Sequence, residues 1–339
     1  MINKVYDVAG LGDLMIDFTY SGQNEDGISL YARNPAGSMA NVLAQDTKLG
    51  GKSLLLTTLG CDEHSRYLYR VANSLGIDMS CVAYGTLPTR FMFVYHNGEE
   101  RYFSDYRVTR NESQTRIENI DLDKFKQCRF FDIKSVRFNP SDPIAETTSL
   151  LLRIAEEYDV KLVTDMQWRG IELSAEDKSF LLEQAKICTV LKVTDEELAY
   201  YYETDDLLEG VEKVFKDSKT ELVAVTRGPK GSFLATRAAH AFNNTYDVPV
   251  VETTGAGDSF TGSLLYSLSR IEKPISELTE DELSEIADFC NACASHTTMF
   301  KGSLLCMASK EDYQNVIQKY RKFKSEPDYR LPDPVIIQK

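Results

Sequence analysis

The chain has 339 residues, of which 42% are hydrophobic and 27% are charged, and its formal net charge is -14 at pH 7. This composition excludes a disordered or fibrous protein and is typical of an ordinary globular chain. The acidic balance gives no overall attraction for nucleic acid or an anionic membrane, so we expect neither as a partner and expect a small-molecule pocket instead.

The seven cysteines are an odd number scattered along the chain, which does not indicate a disulfide framework. The first ten residues, MINKVYDVAG, lack the apolar core of a secretory signal. No apolar run is long enough to span a bilayer. Together these features predict a cytoplasmic protein.

Apolar, β-branched runs alternate with amphipathic stretches along the chain. In chain order the predicted strands are VYDVAGLG, SLLLTTLG, KLVTDM, TVLKVT and ELVAVTRG. Between them lie predicted helices such as MANVLAQDTKLG, IAETTSLLLRIAEEY and DDLLEGVEKVFKD. This alternation predicts an α/β fold with a parallel sheet that helices cover on both faces.

Two segments interrupt the alternation. Residues 17–35 are polar and turn-rich, and residues 89–108 read as a hairpin with apolar alternation around Asn97 and Gly98, a favoured tight-turn dipeptide. We expect the two segments to form a small antiparallel flap beside the main sheet. Because ligands of α/β proteins bind beyond the carboxyl ends of the strands, such a flap would act as a lid.

The stretch VVETTGAGDSFTG, residues 250–262, places an acid directly after three small residues. Gly255, Ala256 and Gly257 permit a turn whose backbone N–H groups converge at the start of a helix, where phosphate binds well. Asp258 would then be a general base that takes a proton from a hydroxyl attacking the bound phosphoryl group. The alternative is a plain helix start in which Asp258 serves the cap and the helix dipole.

Read together, two stretches point to a known family. TTGAGDSF closely resembles the carboxyl-terminal signature of the PfkB, or ribokinase-like, carbohydrate kinases, and AGSMANVLAQDTKLGG resembles the amino-terminal one. The resemblance continues through GLGDLMIDF, LGCDEHSRYL, LKVTDEEL, VAVTRGPKGSF and NACASHTTMFKGS. The segments MIDFTYSG and GEERYFSDYR are most similar to the fructokinase branch.

The resemblance implies a fold and an activity. The fold is a ribokinase-like three-layer α/β sandwich with a mainly parallel central sheet and a small β lid. Residues 1–339 form one catalytic domain, with lid segments at about 17–35 and 89–108. The implied activity is transfer of the γ-phosphoryl group of ATP, with Mg²⁺, to a primary hydroxyl of a ketose, with fructose as the first candidate. The partners are a small sugar and ATP, and a homodimer is left open.

The resemblance also implies roles for individual residues. Asp258 matches the catalytic base, and Gly255, Ala256 and Gly257 match the anion hole. Positions that match sugar-hydroxyl contacts are Asp17, Gly37 and Asn41, with Arg107 at the mouth of the sugar site. Asp17 has a strand-end turn as its alternative, and Asn41 has an ordinary helix-face amide.

On the nucleotide side, the positions that match the ATP groove are Lys192, Thr226, Gly228, Gly231, Gly257 and Asn291. Lys192 has the alternative of extending from a strand end to solvent. Glu197 matches an acid near the water shell of the metal ion. Its alternative is a capping box, because Thr194 precedes it by three residues.

The chain departs from the family pattern at three places. Ala36 precedes Gly37 where the family has two glycines, and Asp105 stands at a hairpin position that is commonly aromatic. Glu252 stands where an aspartate often helps to hold a monovalent cation, so its longer side chain puts such a site in doubt. Two other functions remain open: a 2-keto-3-deoxygluconate kinase, which Arg107 and Arg169 favour, and a non-catalytic regulator that binds sugar or nucleotide.

Overall fold

The computed structural model describes residues 2–97, 100–107, 110–134, 139–168, 172–216, 218–324 and 326–336. Within 96–109 only backbone is described. The strands are β1 (Tyr6–Leu11), β2 (Met15–Gln23), β3 (Ser29–Ala36), β4 (Ser53–Leu59), β5 (Val82–Tyr84), β6 (Phe91–Asn97), β7 (Glu100–Arg107), β8 (Cys128–Lys134), β9 (Lys161–Asp165), β10 (Val190–Thr194), β11 (Leu222–Thr226), β12 (Ser232–Ala235) and β13 (His240–Asn243). The α-helices are α1 (Ser38–Lys48), α2 (Glu63–Ser74), α3 (Leu122–Lys126), α4 (Pro143–Glu157), α5 (Ala175–Ile187), α6 (Asp195–Tyr202), α7 (Leu207–Lys216), α8 (Ala256–Leu268), α9 (Glu280–Thr298) and α10 (Lys310–Lys319).

The central sheet has nine strands in the order β13-β12-β11-β10-β9-β8-β1-β4-β5. The run from β11 to β5 is parallel throughout, and β12 and β13 add to its edge in antiparallel fashion. A strand covered on both faces has no solvated side, and every residue of β4 is accordingly buried. The predicted α/β fold is confirmed.

Helices cover both faces of this sheet and make two apolar cores. One core packs α1, α2, α8 and α9 against one face, and the other packs α3 to α7 against the opposite face. The result is the three-layer sandwich that the resemblance implies. No helix in the described part of the chain is both long and apolar enough to cross a bilayer.

A second, four-stranded sheet lies in the order β3-β2-β6-β7. Its two hairpins are antiparallel, as expected, but they meet through a parallel pairing of β2 with β6 in which Ile16 lies opposite Phe91. The second hairpin closes with Asn97 opposite Glu100, while Gly98 of the predicted turn lies outside the described residues. Whether this sheet closes over a ligand stays a prediction.

Helices α1 and α8 pack against each other at very short range. A Cβ atom on Gly262 would lie 2.4 Å from the carbonyl oxygen of Val42, so only glycine permits this approach. The buried side chain of Gln45 joins the helices, because its Oε1 accepts hydrogen bonds from Ser259 Oγ at 2.8 Å and from the Ala308 N–H at 2.9 Å. The packing brings the first turns of both helices to one place, at the carboxyl ends of the parallel strands.

Candidate active site

A cavity of about 280 Å³ lies between the carboxyl ends of the central strands and the small sheet. Its walls come from the loop after β1, from β2 and β3, from the ends of β9 and β10, and from the first turns of α1 and α8. This is the position at which open α/β sheets bind ligands.

Asp258 lies in the first turn of α8 and its side chain faces α1. Its Oδ1 accepts a hydrogen bond from Ser38 Oγ at 2.5 Å, and its Oδ2 accepts one from Asn41 Nδ2 at 2.8 Å. The N-cap of α8 is Gly255, and no side chain caps this helix. Asp258 therefore does not cap α8. Burial raises the pKa of its carboxyl group, and Lys134 opposes that shift.

Of the two glycines before Asp258, Gly255 has the left-handed backbone that the sequence predicts, whereas Gly257 lies within α8. Gly255 has φ 80°, and a Cβ atom there would lie 3.0 Å from Ser303 Cβ, so the position requires glycine. A Cβ on Gly257 would lie 3.4 Å from Lys192 Nζ, so a ligand can approach the backbone beside a cation. One predicted donor is engaged, since the N–H of Ala256 bonds to the Thr253 carbonyl at 3.2 Å.

Three of the four residues predicted to contact the sugar line the same cavity as Asp258, and the side chain of the fourth, Arg107, is not described. Asp17, Gly37 and Asn41 all line it. Gly37 has φ 129°, and a Cβ atom there would lie 2.6 Å from the Asp13 carbonyl oxygen. Asn41 uses its amide to hold Asp258, which sequence reasoning did not anticipate. Arg107 lies opposite Phe91 in β7, but its side chain is outside the described residues, as is all of Arg169.

The predicted nucleotide residues divide into two groups. Lys192 and Gly257 line the cavity with Asp258. Thr226, Gly228, Gly231 and Asn291 do not line it. Gly231 and Asn291 lie together farther along the edge of the sheet, since both approach the carbonyl oxygen of Asn243. Asn291 Nδ2 donates to this oxygen at 3.1 Å, and the oxygen leaves no room for a side chain on Gly231.

A second cavity of about 400 Å³ begins beside this edge. Phe242, Asn243 and Asn244 form one wall, and the chain that follows α10 forms the other. The ATP groove predicted from the sequence would run from Lys192 toward this edge.

Glu197 makes the predicted capping box. Its backbone N–H donates to Thr194 Oγ1 at 3.1 Å, and its Oε2 accepts from the Thr194 N–H at 2.7 Å. Its Oε1 accepts from the Trp168 N–H at 2.9 Å, and burial raises its pKa to about 7. The capping alternative is thus confirmed, while a role near a metal ion stays a prediction.

The carboxylate of Glu252 is turned into the protein. Its Oε1 accepts from Thr254 Oγ1, and its Oε2 accepts from the Gly302 N–H at 3.2 Å. Both oxygens are therefore engaged, which agrees with the doubt about a monovalent cation at this position. In the described ranges no group of three or more His, Cys, Asp or Glu side chains is arranged to hold a metal ion.

Sequence reasoning missed several residues that shape the cavity. Gln167 Nε2 donates to Ser38 Oγ at 2.6 Å, so Gln167, Ser38 and Asp258 form a hydrogen-bonded chain. Arg90 lines the cavity and lies 3.3 Å from the buried carboxylate of Glu112. Gln167 follows a predicted strand in TDMQW, and that position was the available signal.

A row of buried charges crosses the strands below the cavity, and sequence reasoning missed it except for Lys192. Asp165 lies between two ammonium groups, with Lys134 Nζ at 3.0 Å and Lys192 Nζ at 3.1 Å. Lys134 Nζ is also 3.8 Å from Asp258 Oδ1 and 3.9 Å from Asp132 Oδ2. Charged residues inside otherwise apolar strands were the signal for this row.

The model of the pfkB family of carbohydrate kinases matches residues 6–311. The chain is 28% identical over 327 residues to probable fructokinase-5 of Arabidopsis thaliana. The alignment covers 93% of this chain and 98% of that protein.

Solved structures share the fold. A fructokinase with bound ATP from Xylella fastidiosa superposes with a TM-score of 0.79 at 22% identity, over 92% of this chain and 98% of that one. A putative ribokinase II in complex with ATP and Mg²⁺ from E. coli has a TM-score of 0.80 at 18% identity, over 94% and 100% of the two chains.

Proposed function

The chain belongs to the pfkB family of carbohydrate kinases, and from this membership we propose that it transfers the γ-phosphoryl group of ATP to a primary hydroxyl of a ketose, with fructose as the first candidate. We assign Asp258 as the base and the turn at Gly255 and Gly257 as the anion site. Asp17, Gly37, Asn41 and Arg107 would contact the sugar.

One observation carries this proposal: the carboxylate of Asp258 stands in the cavity, fixed by Ser38 and Asn41, beside the glycine turn. A base must lie within hydrogen-bond reach of the proton that it removes, and the donors must face the place where charge develops. Here the base and the start of α8 reach the same space, as phosphoryl transfer to a hydroxyl requires.

ATP would enter with Mg²⁺ on its phosphates. Two carboxylates act electrostatically on Lys192, and both are engaged: Asp165 by two ammonium groups and Glu197 by two backbone N–H groups. Such a site suits Mg²⁺, which keeps several waters and binds through substrate phosphates. Lys192 would meet the phosphates, and Thr226, Gly228, Gly231 and Asn291 would bind the rest of the nucleotide.

The charge of the cavity supports a neutral sugar over an acidic one. Among its described lining residues, the acids are Asp13, Asp17, Asp165, Glu197 and Asp258, and the bases are Arg90 and Lys192. Unlike ATP, which would bring Mg²⁺ with its phosphates, a substrate carboxylate would add to this acidic excess and be repelled. We therefore rank fructose above 2-keto-3-deoxygluconate.

An assay of ADP release with purified protein, ATP and Mg²⁺ tests the proposal across fructose, 2-keto-3-deoxygluconate, ribose, tagatose 6-phosphate and nucleosides. The expected result is the highest kcat/KM with fructose. A preference for 2-keto-3-deoxygluconate would refute the ranking by charge. Tight sugar or nucleotide binding with only background ATP hydrolysis would favour the non-catalytic regulator.

The remaining assignments are proposals of the same standing. We propose that residues 1–339 act as one catalytic unit, that the small sheet closes over the sugar, and that the protein works in the cytoplasm. Closure would exclude water, which otherwise competes with the sugar for the phosphoryl group.

A further inference from the structure

The charged row beneath the cavity follows directly from strand register. Asp165, the last residue of β9, lies opposite Lys134 of β8 and opposite Lys192 of β10. Asp132 precedes Lys134 by two residues and so shares its face of the sheet. The four side chains therefore alternate in sign across three neighbouring strands, at the ends nearest α8.

Lys134 is the member of this row that reaches Asp258. Its ammonium group lies within 4 Å of three carboxylates, at 3.0 Å from Asp165, 3.8 Å from Asp258 and 3.9 Å from Asp132. Its side chain is 5% exposed, and it does not belong to the described lining of the cavity. Lys134 can thus influence the carboxylate of Asp258 from outside the cavity, without contact with a ligand.

The surroundings of Asp258 make such a cation consequential. Burial disfavours its charged form, and Ser38 and Asn41 of α1 and Lys134 of β8 oppose that effect. The negative groups facing it are Asp165 of β9 and Asp132 of β8, with Asp13 and Asp17 on the wall of the same cavity. Lys192 of β10 lies beyond Asp165. Among described side chains, Lys134 is the cation within 4 Å of Asp258.

We propose that Lys134 is a positioning residue that keeps the Asp258 carboxylate charged and turned toward α1 until the acceptor hydroxyl binds. This inference rests on the proposed role of Asp258 as the base. In the reaction, the hydroxyl O–H bond breaks and its proton bonds to Asp258, while the hydroxyl oxygen bonds to the γ-phosphorus and the bond to ADP breaks. Lys134 keeps its own proton, because Asp165 still faces it at 3.0 Å.

A purely structural role for the row makes a different prediction. If the four charges only pair with one another inside the sheet, loss of any one of them lowers the stability of the fold. The pKa of Asp258 would then not depend on the sign of the charge that is removed. If Lys134 acts on Asp258, loss of a cation and loss of an anion must shift its titration in opposite directions. Asp132 supplies the matched case, because it is fully buried and has no hydrogen-bond partner among the described residues.

The experiment measures the titration of Asp258 without relying on turnover. The full-length protein is labelled with ¹³C at the aspartate carboxyl carbons, and the signal lost in Asp258→Asn identifies Asp258. In Lys134→Met we expect the pKa of Asp258 to rise by about 1–3 units. In Asp132→Asn we expect it to fall, because a negative group that faces Asp258 is lost. If Lys134→Met does not fold, the double variant Lys134→Met with Asp132→Asn is used instead, because it removes one charge of each sign. The pKa of Asp258 is still expected to rise in this double variant.

Kinetics give the second readout. The acid limb of the kcat/KM profile should move to higher pH in Lys134→Met by the same amount as the NMR titration. An Asp258 pKa that is unchanged or lowered in Lys134→Met overturns the inference. Absence of turnover with every sugar would contradict the proposed function instead, and the NMR titration would still decide the role of Lys134.

Discussion

Replacement of Asp258 by asparagine tests the proposed mechanism most directly. The change keeps the size of the side chain but removes the proton acceptor, so the chemical step should lose the general-base contribution of about 10²–10⁴-fold in kcat. That range corresponds to about 3–5 kcal/mol of barrier. The backbone N–H groups of the glycine turn are unchanged, so the affinity for nucleotide should change little.

The hydrogen bonds of Asp258 set the structural cost of the same change. While Asn41 keeps its orientation the new amide group cannot donate toward it, because Asn41 Nδ2 is itself the donor at 2.8 Å. It must turn toward Ser38, whose hydroxyl can rotate to accept, and there it approaches Lys134, now 3.8 Å from Oδ1. We expect a loss of about 1–3 kcal/mol in the free energy of unfolding, which leaves a folded protein.

Three measurements separate these effects: steady-state kcat and KM on the best sugar, calorimetric binding of a non-hydrolysable ATP analogue, and thermal unfolding. Ser38→Ala is the matched control, because it removes one hydrogen bond from the carboxylate and leaves the base in place. Its loss in kcat should be smaller. Turnover of Asp258→Asn at the wild-type rate would refute the assignment of the base.

Four further predictions address the surroundings of the site. Burial raises the pKa of Glu112 to about 7 from its ordinary 4.5, so below pH 4.5 its contribution to stability is complete, and it is lost as pH rises to 7. Glu112→Gln should therefore remove a fall of up to about 3 kcal/mol in unfolding free energy over that window, and parallel pH curves for the two proteins would contradict this. Gly262→Ala should lower the unfolding free energy by about 1–3 kcal/mol and reduce kcat, because its Cβ atom would lie 2.4 Å from the Val42 carbonyl oxygen and force α1 from α8. Hydrogen exchange of the β2–β3 amides should slow when sugar and a nucleotide analogue bind together, and unchanged exchange would exclude lid closure. Arg107→Ala should raise the KM for sugar with little change for ATP, and a larger effect on ATP would place the residue on the nucleotide side.

Local patterns in the sequence predicted the elements that carry Asp258, the proposed base. The alternation of apolar runs and amphipathic stretches identified β1, β4, β9, β10 and β11, and the glycine turn with Asp258 was readable because all of its parts are adjacent in the chain. The small sheet was harder to predict. Its parallel pairing of β2 with β6 joins segments far apart in sequence, and no local pattern specifies such a register.

The partners of Asp258 could not be predicted from the sequence for the same reason. Ser38 is 220 residues from Asp258 along the chain, and Lys134 is 31 residues from Asp165. Their meeting depends on which strands are neighbours and on the close approach of α1 and α8, which only the assembled fold determines. A charged side chain in an apolar strand indicates a site, but the sequence does not show which residue it contacts.

The buried charges below the cavity are poorly explained by stability alone. Transfer of ions from water to the interior is costly, and apolar residues of similar volume often hold a fold as well as buried ion pairs do. The row Asp132, Lys134, Asp165 and Lys192 nevertheless alternates in sign, so each of its carboxylates faces an ammonium group within 4 Å. Asp258 adds a further negative charge at the end of this row and shares Lys134 with it. We expect the proposed base to stay charged until the hydroxyl binds, and then to accept a proton without leaving an unpaired cation, because Lys134 lies 3.0 Å from Asp165.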